Sequence, residues 1–305
     1  MTVRPLLLSL VLALALGVAA CGSSSEEKTS PDGGDRAPSD RLVDFTKDPP
    51  YVNALDIEPE SGDFLLTTNK GFWRIGAKDD KVTQIKGTIA ADGKSDTVGT
   101  FLEIEVTGPK TLIGSGHPDQ QNTLPQFLGF ITSDDAGASW KVLSRLGDAD
   151  LHKIVQAHGK LYAFDAVLGA MLISDDGGKT FTERFTPKGL VIDFVVDPKD
   201  PDYLLAATED TLHRSEDGGE NWRPVTPGEG VRLEWSGNGL YRADKDGTVF
   251  TSTDRGGTWN AVGKVDGEPY KFKAVDERHL FLALSDGTIL ETTDGAKNFG
   301  EVFRP

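Results

Sequence analysis

The chain reads SDDGGKTF at residues 174–181, and this octapeptide is one of five related segments. They share Ser or Thr at the first position, Asp at the third and an aromatic ring at the eighth. The other four are SDDAGASW at 133–140, SEDGGENW at 215–222, STDRGGTW at 252–259 and a degraded copy, TTDGAKNF, at 292–299. Their first residues are spaced by 41, 41, 37 and 40 positions. Self-similarity at such a period indicates a repeat architecture.

Each segment predicts a tight hairpin turn. An aspartate in a turn accepts hydrogen bonds from nearby backbone N–H groups, and glycine supplies the positive φ that the turn requires. The terminal aromatic ring then begins the next strand and points into the space between sheets. We therefore expect four aspartates to shape turns and not to contact a ligand: Asp135, Asp176, Asp217 and Asp254.

Short runs of alternating apolar and polar residues flank the turns and predict four strands per repeat. The clearest repeat has strands at Val191–Asp197, Tyr203–Glu209, Thr211–Asp217 and Trp222–Thr226. The same rhythm fits residues 51–87, 101–145, 151–185, 231–265 and 270–303. The sequence thus predicts an all-β fold, a six-bladed β-propeller of four-stranded antiparallel blades over residues 51–305. A seventh blade stays open if the VDFT segment at 43–46 contributes strands.

The repeated motif is identified as the Asp-box, or BNR repeat, which is similar to that of sialidases, sortilin-type receptors and photosystem assembly factors. Residues 51–305 also resemble bacterial BNR-repeat lipoproteins labelled glycosylhydrolase or exo-sialidase. That resemblance rests on GSGHPD at 114–119, LPQFLGFITSDDAG at 124–137 and LGDADLH at 146–152. It implies a glycoside hydrolase as one candidate function. Sialidases use three arginines, a Tyr–Glu pair and an aspartic acid, but here only Arg232 and Arg242 are predicted near the centre.

The first 50 residues predict export and lipid anchoring. Arg4 precedes the apolar run Leu6–Leu16, which is too short to span a bilayer and suits a signal peptide. The run ends in GVAAC at 17–21, which resembles a bacterial lipobox, and Cys21 is the only cysteine. We predict a signal peptide over 1–20, a membrane anchor through lipid on Cys21 outside the cytoplasm, and a flexible linker over 21–50. An ordinary secretory signal with an incidental cysteine is the alternative.

Composition narrows the partners. The formal net charge of −16 argues against nucleic acid and against anionic lipid surfaces. The five histidines lack metal-ligand spacing, so we predict neither a metal nor a cofactor. A convergence of His117, His152, Asp119 and Asp165 on a metal is the less favoured alternative. We expect a monomer that binds a protein or a glycan.

Candidate ligand-binding residues come from loops and inner strands. Two long connections, 86–100 and 114–125, fall on the face opposite the Asp-containing turns, where function concentrates in rigid scaffolds. Aligning the first strands of the repeats places Ala54, Glu103, Lys153, Asp193, Arg232 and Lys271 toward the central channel. A slip of one residue would reverse that orientation, and a mutually paired, water-filled lining is the alternative to a binding pocket. The candidates are Glu103, His117, Asp119, His152, Lys153, Asp165, Asp193 and Arg232.

Two functions remain open from the sequence. A surface-anchored binding or assembly module needs only a tether and a decorated face. A glycoside hydrolase needs two carboxyl groups roughly 5 to 10 Å apart, one of them protonated. By position, the acidic candidates are Glu103, Asp119, Asp165, Asp193 and Glu209.

Overall fold

The computed structural model describes residues 51–120, 123–227 and 231–304. Within these ranges every regular element is a β-strand, and no helix there is long and apolar enough to cross a membrane. The predicted signal peptide, Cys21, the linker and the VDFT segment at 43–46 lie outside the described residues.

The strands form six sheets, called blades 1 to 6 in chain order. Blade 1 contains β1 (Val52–Ile57), β2 (Phe64–Thr68), β3 (Gly71–Ile75) and β4 (Val82–Ile85). Blade 2 contains β5 (Gly87–Ala91), β6 (Lys94–Val98), β7 (Leu102–Gly108), β8 (Thr111–Gly116), β9 (Phe130–Ser133) and β10 (Ser139–Ser144). Blade 3 contains β11 (Leu151–Ala157), β12 (Lys160–Asp165), β13 (Ala170–Ser174) and β14 (Thr182–Arg184).

The last three blades each have four strands. Blade 4 contains β15 (Val191–Asp197), β16 (Asp200–Thr208), β17 (Thr211–Ser215) and β18 (Arg223–Pro227). Blade 5 contains β19 (Arg232–Ser236), β20 (Gly239–Ala243), β21 (Thr248–Ser252) and β22 (Asn260–Lys264). Blade 6 contains β23 (Pro269–Ala274), β24 (Leu280–Leu284), β25 (Ile289–Thr292) and β26 (Gly300–Phe303).

The blades form a closed ring. Their innermost strands, counted from here on as the first strand of each blade, contact one another in the order β1, β7, β11, β15, β19, β23, and β23 returns to β1. These six strands therefore line the central channel, and the six-bladed, all-β propeller is confirmed. Each described blade is one contiguous stretch of chain. Blades 6 and 1 consequently meet through side chains, among them Phe281 and Phe64, whose ring centroids are 5.0 Å apart.

The Asp-containing turns have one hydrogen-bond pattern. In the 174–181 turn, Asp176 Oδ1 accepts from the backbone N–H of Thr180 at 2.9 Å, and Asp176 Oδ2 accepts from the Thr180 hydroxyl at 2.7 Å. Ser174 Oγ donates to Asp176 and accepts from Gly178 N, both at 2.8 Å. The equivalent bonds to the fourth residue after the aspartate recur at Asp135, Asp217, Asp254 and Asp294. The carboxylate therefore holds the backbone of the turn.

The aromatic ring that ends each turn packs on the preceding blade. Phe181 of blade 3 contacts Phe130 of blade 2 with ring centroids 5.6 Å apart, and buried Trp140 of blade 2 joins a core cluster with Phe72 of blade 1. Gly178 has a φ of +88°, and a Cβ there would overlap the Phe130 ring. Glycine is required at this position on both grounds. The repeat motif thus joins neighbouring blades.

Strand direction sorts the loops onto two faces. The turn face carries the Asp-containing turns between third and fourth strands, and the loop face carries the second-to-third-strand loops and the connections between blades. Residues 86–100, expected as a long loop, instead contain the β5–β6 hairpin on the outer edge of blade 2. There β5 pairs parallel to β10, with Thr88 opposite Ser139. The turn Asp92-Gly93 has positive φ at both residues, as a two-residue hairpin requires.

Candidate functional site

Four bulges shape the loop-face end of the channel. The pairing register shifts near the start of β1, β11, β15 and β23. The extra residues at these shifts are Asn53, His152, Ile192 and Tyr270. All four line a cavity of about 420 Å³ at the mouth of the channel. In a regular strand, consecutive side chains point to opposite faces. A bulge changes the direction of a side chain, so at these four positions both the extra residue and the residue after it face the channel.

The floor of this upper cavity is charged and ion-paired. Lys153 Nζ lies 3.0 Å from Asp193 Oδ1, which links blades 3 and 4. Lys271 Nζ lies 3.1 Å from Glu103 Oε2, which links blades 6 and 2 past the small Ala54 of blade 1. Burial raises the pKa of Glu103 although Lys271 and Lys153 oppose it. Burial would lower the pKa of Lys153, but Asp193 and neighbouring carboxylates raise it above its ordinary value.

A second charged tier lies deeper in the channel, around a cavity of about 230 Å³. Lys273 Nζ contacts Asp56 Oδ2 at 2.9 Å and Glu105 Oε2 at 3.2 Å. Burial raises the pKa of Glu105 to about 7, with Lys273 opposing the shift. Burial also raises the pKa of Glu234, whose Oε1 accepts a hydrogen bond from Ala274 N at 2.9 Å. The lower tier therefore carries carboxyl groups that protonate more readily than usual.

Arg232 differs from the lysines of the upper cavity. Among the described residues no carboxylate forms an ion pair with it. Its Nη1 donates to the Ile192 carbonyl at 3.3 Å, and its guanidinium lies 4.7 Å from the centroid of the Tyr270 ring. Arg232 Nε is buried and has no hydrogen-bond partner in the described part of the chain. The guanidinium thus faces the cavity with donor capacity to spare.

One carboxylate at the cavity wall is shared by two histidines. Asp150 Oδ2 lies 3.0 Å from His152 Nε2 and 3.5 Å from His117 Nε2, and His117 Nδ1 is 2.9 Å from the Gln126 carbonyl oxygen. The bonds to Asp150 raise the pKa of both histidines. Burial alone would raise the pKa of Asp150, but the two histidines hold it well below its usual range. This cluster ties His117 and Gln126 of the β8–β9 connection to the start of blade 3.

Exposed apolar side chains surround the mouth of the cavity. Tyr51, Phe101 and Leu190 line the cavity, yet each is more than half exposed, at 55%, 52% and 55%. Val167 and Leu168 are also exposed and directly follow Ala166, another cavity-lining residue. Together these five side chains form what we call the apolar rim. It lies on the loop face, because its members belong to second-to-third-strand loops and to connections that precede first strands.

Six of the eight sequence candidates line the upper cavity: Glu103, His117, His152, Lys153, Asp193 and Arg232. Asp119 is exposed elsewhere on the loop and accepts hydrogen bonds from Thr100 N at 3.0 Å and Thr100 Oγ1 at 2.7 Å. Asp165 is fully buried, where its Oδ1 accepts from Val167 N at 2.9 Å. These two shape loops and do not line the cavity.

Sequence reasoning missed Asp150 and Tyr270 as site residues. Asp150 is in the quoted LGDADLH stretch, directly before a predicted first strand, and this position was its only signal. Tyr270 faces the cavity because of a bulge in β23, and no pattern in the sequence predicts this bulge. The four residues considered for a metal do not form a ligand set: Asp119 accepts hydrogen bonds from Thr100, and Asp165 Oδ1 accepts from backbone N–H groups, among them that of Asp150 at 3.3 Å. The described ranges contain no group of three potential ligands suited to a metal ion.

No family model and no curated protein sequence matches the chain. Solved structures do match. A chain in a nidogen/laminin complex matches with a TM-score of 0.56 at 10% identity, over 80% of this chain and 93% of that one. The GH74 enzyme of Niastella koreensis matches with a TM-score of 0.54 at 13% identity, over 83% of this chain but only 45% of the enzyme. YCF48 from Cyanidioschyzon merolae matches at 0.49 and 12%, over 83% and 84%.

These likenesses show the fold alone, a β-propeller. The first two belong to a protein complex and to an enzyme, so the architecture serves both binding and catalysis. The function of such a propeller therefore depends on its site and not on its fold.

Proposed function

We propose that this protein is a binding module that holds a partner protein at its loop face, tethered to a membrane by lipid on Cys21. The observation that carries the proposal is the apolar rim around a recessed polar cavity. Exposed apolar patches rimmed by or enclosing polar groups mark interaction sites, and loops on a rigid scaffold are where such sites concentrate. The rim contains aliphatic Leu168 and Leu190 as well as aromatic Tyr51, and this composition suits apolar side chains of a protein better than a glycan.

The glycoside hydrolase alternative has less support. It requires one carboxyl group free to donate a proton and a second free to attack or to activate water. In the upper cavity, Glu103 is paired with Lys271, Asp193 with Lys153 and Asp150 with two histidines. Each carboxylate is thus committed to a cation or a potential cation. A substrate would have to displace these pairs before chemistry could begin.

Site-specific photo-crosslinking in the producing cell tests the binding role. A benzophenone side chain at Leu168, on the rim, is expected to form a discrete protein adduct. The matched control is the same group at Lys179, which is exposed on the turn face. An adduct at Leu168 alone supports the proposal. Equal adducts at both positions, or none at Leu168, would overturn it.

Anchoring is tested separately by metabolic labelling with an alkyne fatty acid. We expect label in the membrane fraction that is lost in Cys21→Ser and kept in Ser23→Ala. Label that persists in Cys21→Ser would refute the lipid anchor but would leave the loop-face site untouched.

Hydrolysis assays test the alternative function. The protein is expected to release no chromophore from a panel of aryl glycosides that includes a sialoside. Turnover that disappears in Glu103→Gln and survives in Asp119→Asn would instead identify the cavity as catalytic, because Glu103 lines the cavity and Asp119 does not.

A further inference from the structure

We propose that the upper cavity binds a carboxylate of a peptide segment of the partner, with Arg232 as its anchor and apolar peptide side chains on the rim. This inference rests on the proposed binding function and names the chemical class of the ligand. The carboxylate is either an Asp or Glu side chain or a free C-terminus, and the experiment below separates the two.

The cation balance of the cavity singles out Arg232. Lys153 and Lys271 are neutralised by Asp193 and Glu103 at 3.0 and 3.1 Å. Arg232 has no such partner among the described side chains, so its charge is the one available to an incoming anion. The chain as a whole is acidic, which means that long-range fields do not favour anions. Recognition must then come from short-range contact with this guanidinium.

The hydrogen-bonding state of Arg232 points the same way. A guanidinium has five N–H donors. In the described chain Arg232 donates one hydrogen bond, from Nη1 to the Ile192 carbonyl at 3.3 Å. Nε is buried and has no partner among the described residues, and an unpaired buried donor costs free energy. A carboxylate is the acceptor whose two oxygens match the fork of an arginine.

Tyr270 holds the guanidinium in place for such a contact. The arginine stacks on the Tyr270 ring at 4.7 Å, and that ring meets Tyr51 edge-on at 4.8 Å between centroids. Stacking uses the face of the guanidinium and leaves its edge for hydrogen bonds. Because Tyr51 and Leu190 line the same cavity and are exposed at its mouth, a carboxylate on Arg232 has apolar surface beside it.

A protein segment fits this arrangement better than an acidic sugar does. The carboxylate site is recessed and the adjoining surface is aliphatic as well as aromatic. A peptide offers both features at once, a carboxylate and a neighbouring leucine-like side chain. A uronic or sialic acid offers the first with a hydroxyl-covered ring, which would leave Leu190 facing polar groups.

Binding of four dye-labelled hexapeptides to the full-length protein in detergent tests the inference by fluorescence polarisation. All end in Leu-Leu. The first has a free C-terminal carboxylate, the second the C-terminal amide, the third the amide with an internal Glu, and the fourth the amide with Gln in its place. We expect the first or the third to bind at least about tenfold more tightly than its neutral counterpart, since charge-assisted hydrogen bonds are the strong ones. The peptide that binds identifies the source of the carboxylate.

Arg232→Met is expected to abolish the preference for the charged peptide, and Arg232→Lys to restore only part of it because lysine lacks the fork. Lys179→Met on the turn face is the matched control and should bind as the unaltered protein does. Tyr270→Leu, which removes the stack and keeps the charge, should weaken binding less than Arg232→Met; it keeps the test valid if Arg232→Met fails to fold.

The inference is overturned if no peptide binds, or if charged and neutral peptides bind equally and Arg232→Met changes nothing. Crosslinking at Leu168 distinguishes the two failures. A rim adduct without carboxylate preference would leave the binding module standing and remove only Arg232 as its anchor. Absence of both would remove the proposed function as well.

Discussion

His152 Nε2 lies 3.0 Å from Asp150 Oδ2. His152 is the bulge residue of β11, whereas Asp150 ends the connection from blade 2, and the same oxygen is 3.5 Å from His117 of the preceding blade. Protonation of His117 and of His152 therefore affects, through Asp150, the contact between blades 2 and 3 at the wall of the upper cavity.

The stability of this junction should depend on pH. The raised pKa values of His117 and His152 add stability that is fully present below about pH 6.5, the ordinary value, and is lost as pH rises through the folded-state values. The lowered pKa of Asp150 adds stability present above about pH 3.9 and lost as pH falls. Asp150→Asn should therefore reduce the free energy of unfolding most between about pH 4 and 6.5. Urea unfolding at pH 5 and pH 8.5 measures the difference.

Asp148→Asn is the control for that experiment, because Asp148 is an exposed neighbour in the same connection. It should change stability little at either pH. A loss in Asp150→Asn that is equal at pH 5 and pH 8.5 would contradict the coupling to histidine protonation.

Removing Lys273 should destabilise the channel strongly. Lys273→Met leaves Asp56 and Glu105 without their shared cation, and breaking a buried ion pair on one side costs about 3–5 kcal/mol. Glu105 already has a pKa of about 7, and loss of Lys273 should raise it further. Because a carboxyl group with a raised folded-state pKa favours folding at low pH, the variant should regain stability when pH falls from 8 to 6.

Lys264→Met provides the comparison, since Lys264 is exposed and paired with Asp246 at 3.2 Å on the surface. Its effect on urea unfolding should be below about 1 kcal/mol. Equal effects of the two lysine variants, or a Lys273→Met loss that does not vary with pH, would count against the buried network.

Ring closure should depend on Phe281. This side chain is 5% exposed and meets Phe64 across the junction of blades 6 and 1. Phe281→Ala should cost about 3–5 kcal/mol and should lower hydrogen-exchange protection first in β2 and β24, the strands that contain the two rings. Phe185→Ala, at a residue 70% exposed, should change stability by less than about 0.5 kcal/mol. Uniform loss of protection in all six blades would show that the junction is not the weak point.

The turn aspartates should be distinguishable from their neighbours. Hydrogen bonds from Thr180 lower the pKa of Asp176 to about 2, whereas adjacent Asp175 makes a surface ion pair with Lys160 at 3.1 Å. Asp176→Ala should lower the thermal midpoint at pH 7. The deficit should shrink as pH falls from about 4 toward 2, because the hydrogen bonds that lower the pKa of Asp176 stabilise the protein only while this carboxylate is ionised. Asp175→Ala should show no such dependence. A deficit that stays constant down to pH 2 would rule out the carboxylate as the cause.

The repeat made much of the fold predictable. The first two strands of blade 4 were predicted at Val191–Asp197 and Tyr203–Glu209, and they are found at Val191–Asp197 and Asp200–Thr208. Both contain apolar runs between turn signals. Strands that are buried on both faces have such continuous apolar runs, which makes their positions predictable from the sequence. The alternation does not predict the β5–β6 hairpin, because most of its exposed residues are polar and its turn, Asp92-Gly93, resembles a loop in the sequence.

Only those site residues that occupy equivalent positions of the aligned repeats were predictable from the sequence. Glu103, Lys153 and Arg232 were placed toward the channel because equivalent positions of a repeat face the same way. Bulges break that rule, and so Tyr270 and His152 share the channel with the residues that follow them. Asp150 has its role because His117 and His152 both contact it. His117 is 33 positions away in the sequence, and a local sequence pattern does not predict a contact of this kind.

The seam between Phe64 and Phe281 also bears on the order of folding events. Since no described strand is exchanged between the first and last blades, each blade can complete its own hydrogen bonds as soon as its residues are available. Growth can then proceed from one blade to the next by local contacts, with few long-range searches to slow it. The one obligatory long-range step is the final meeting of blade 6 with blade 1. Until that meeting, both ends of the growing arc present an uncovered apolar sheet face, which makes the nearly complete arc the species most prone to join a second copy of itself.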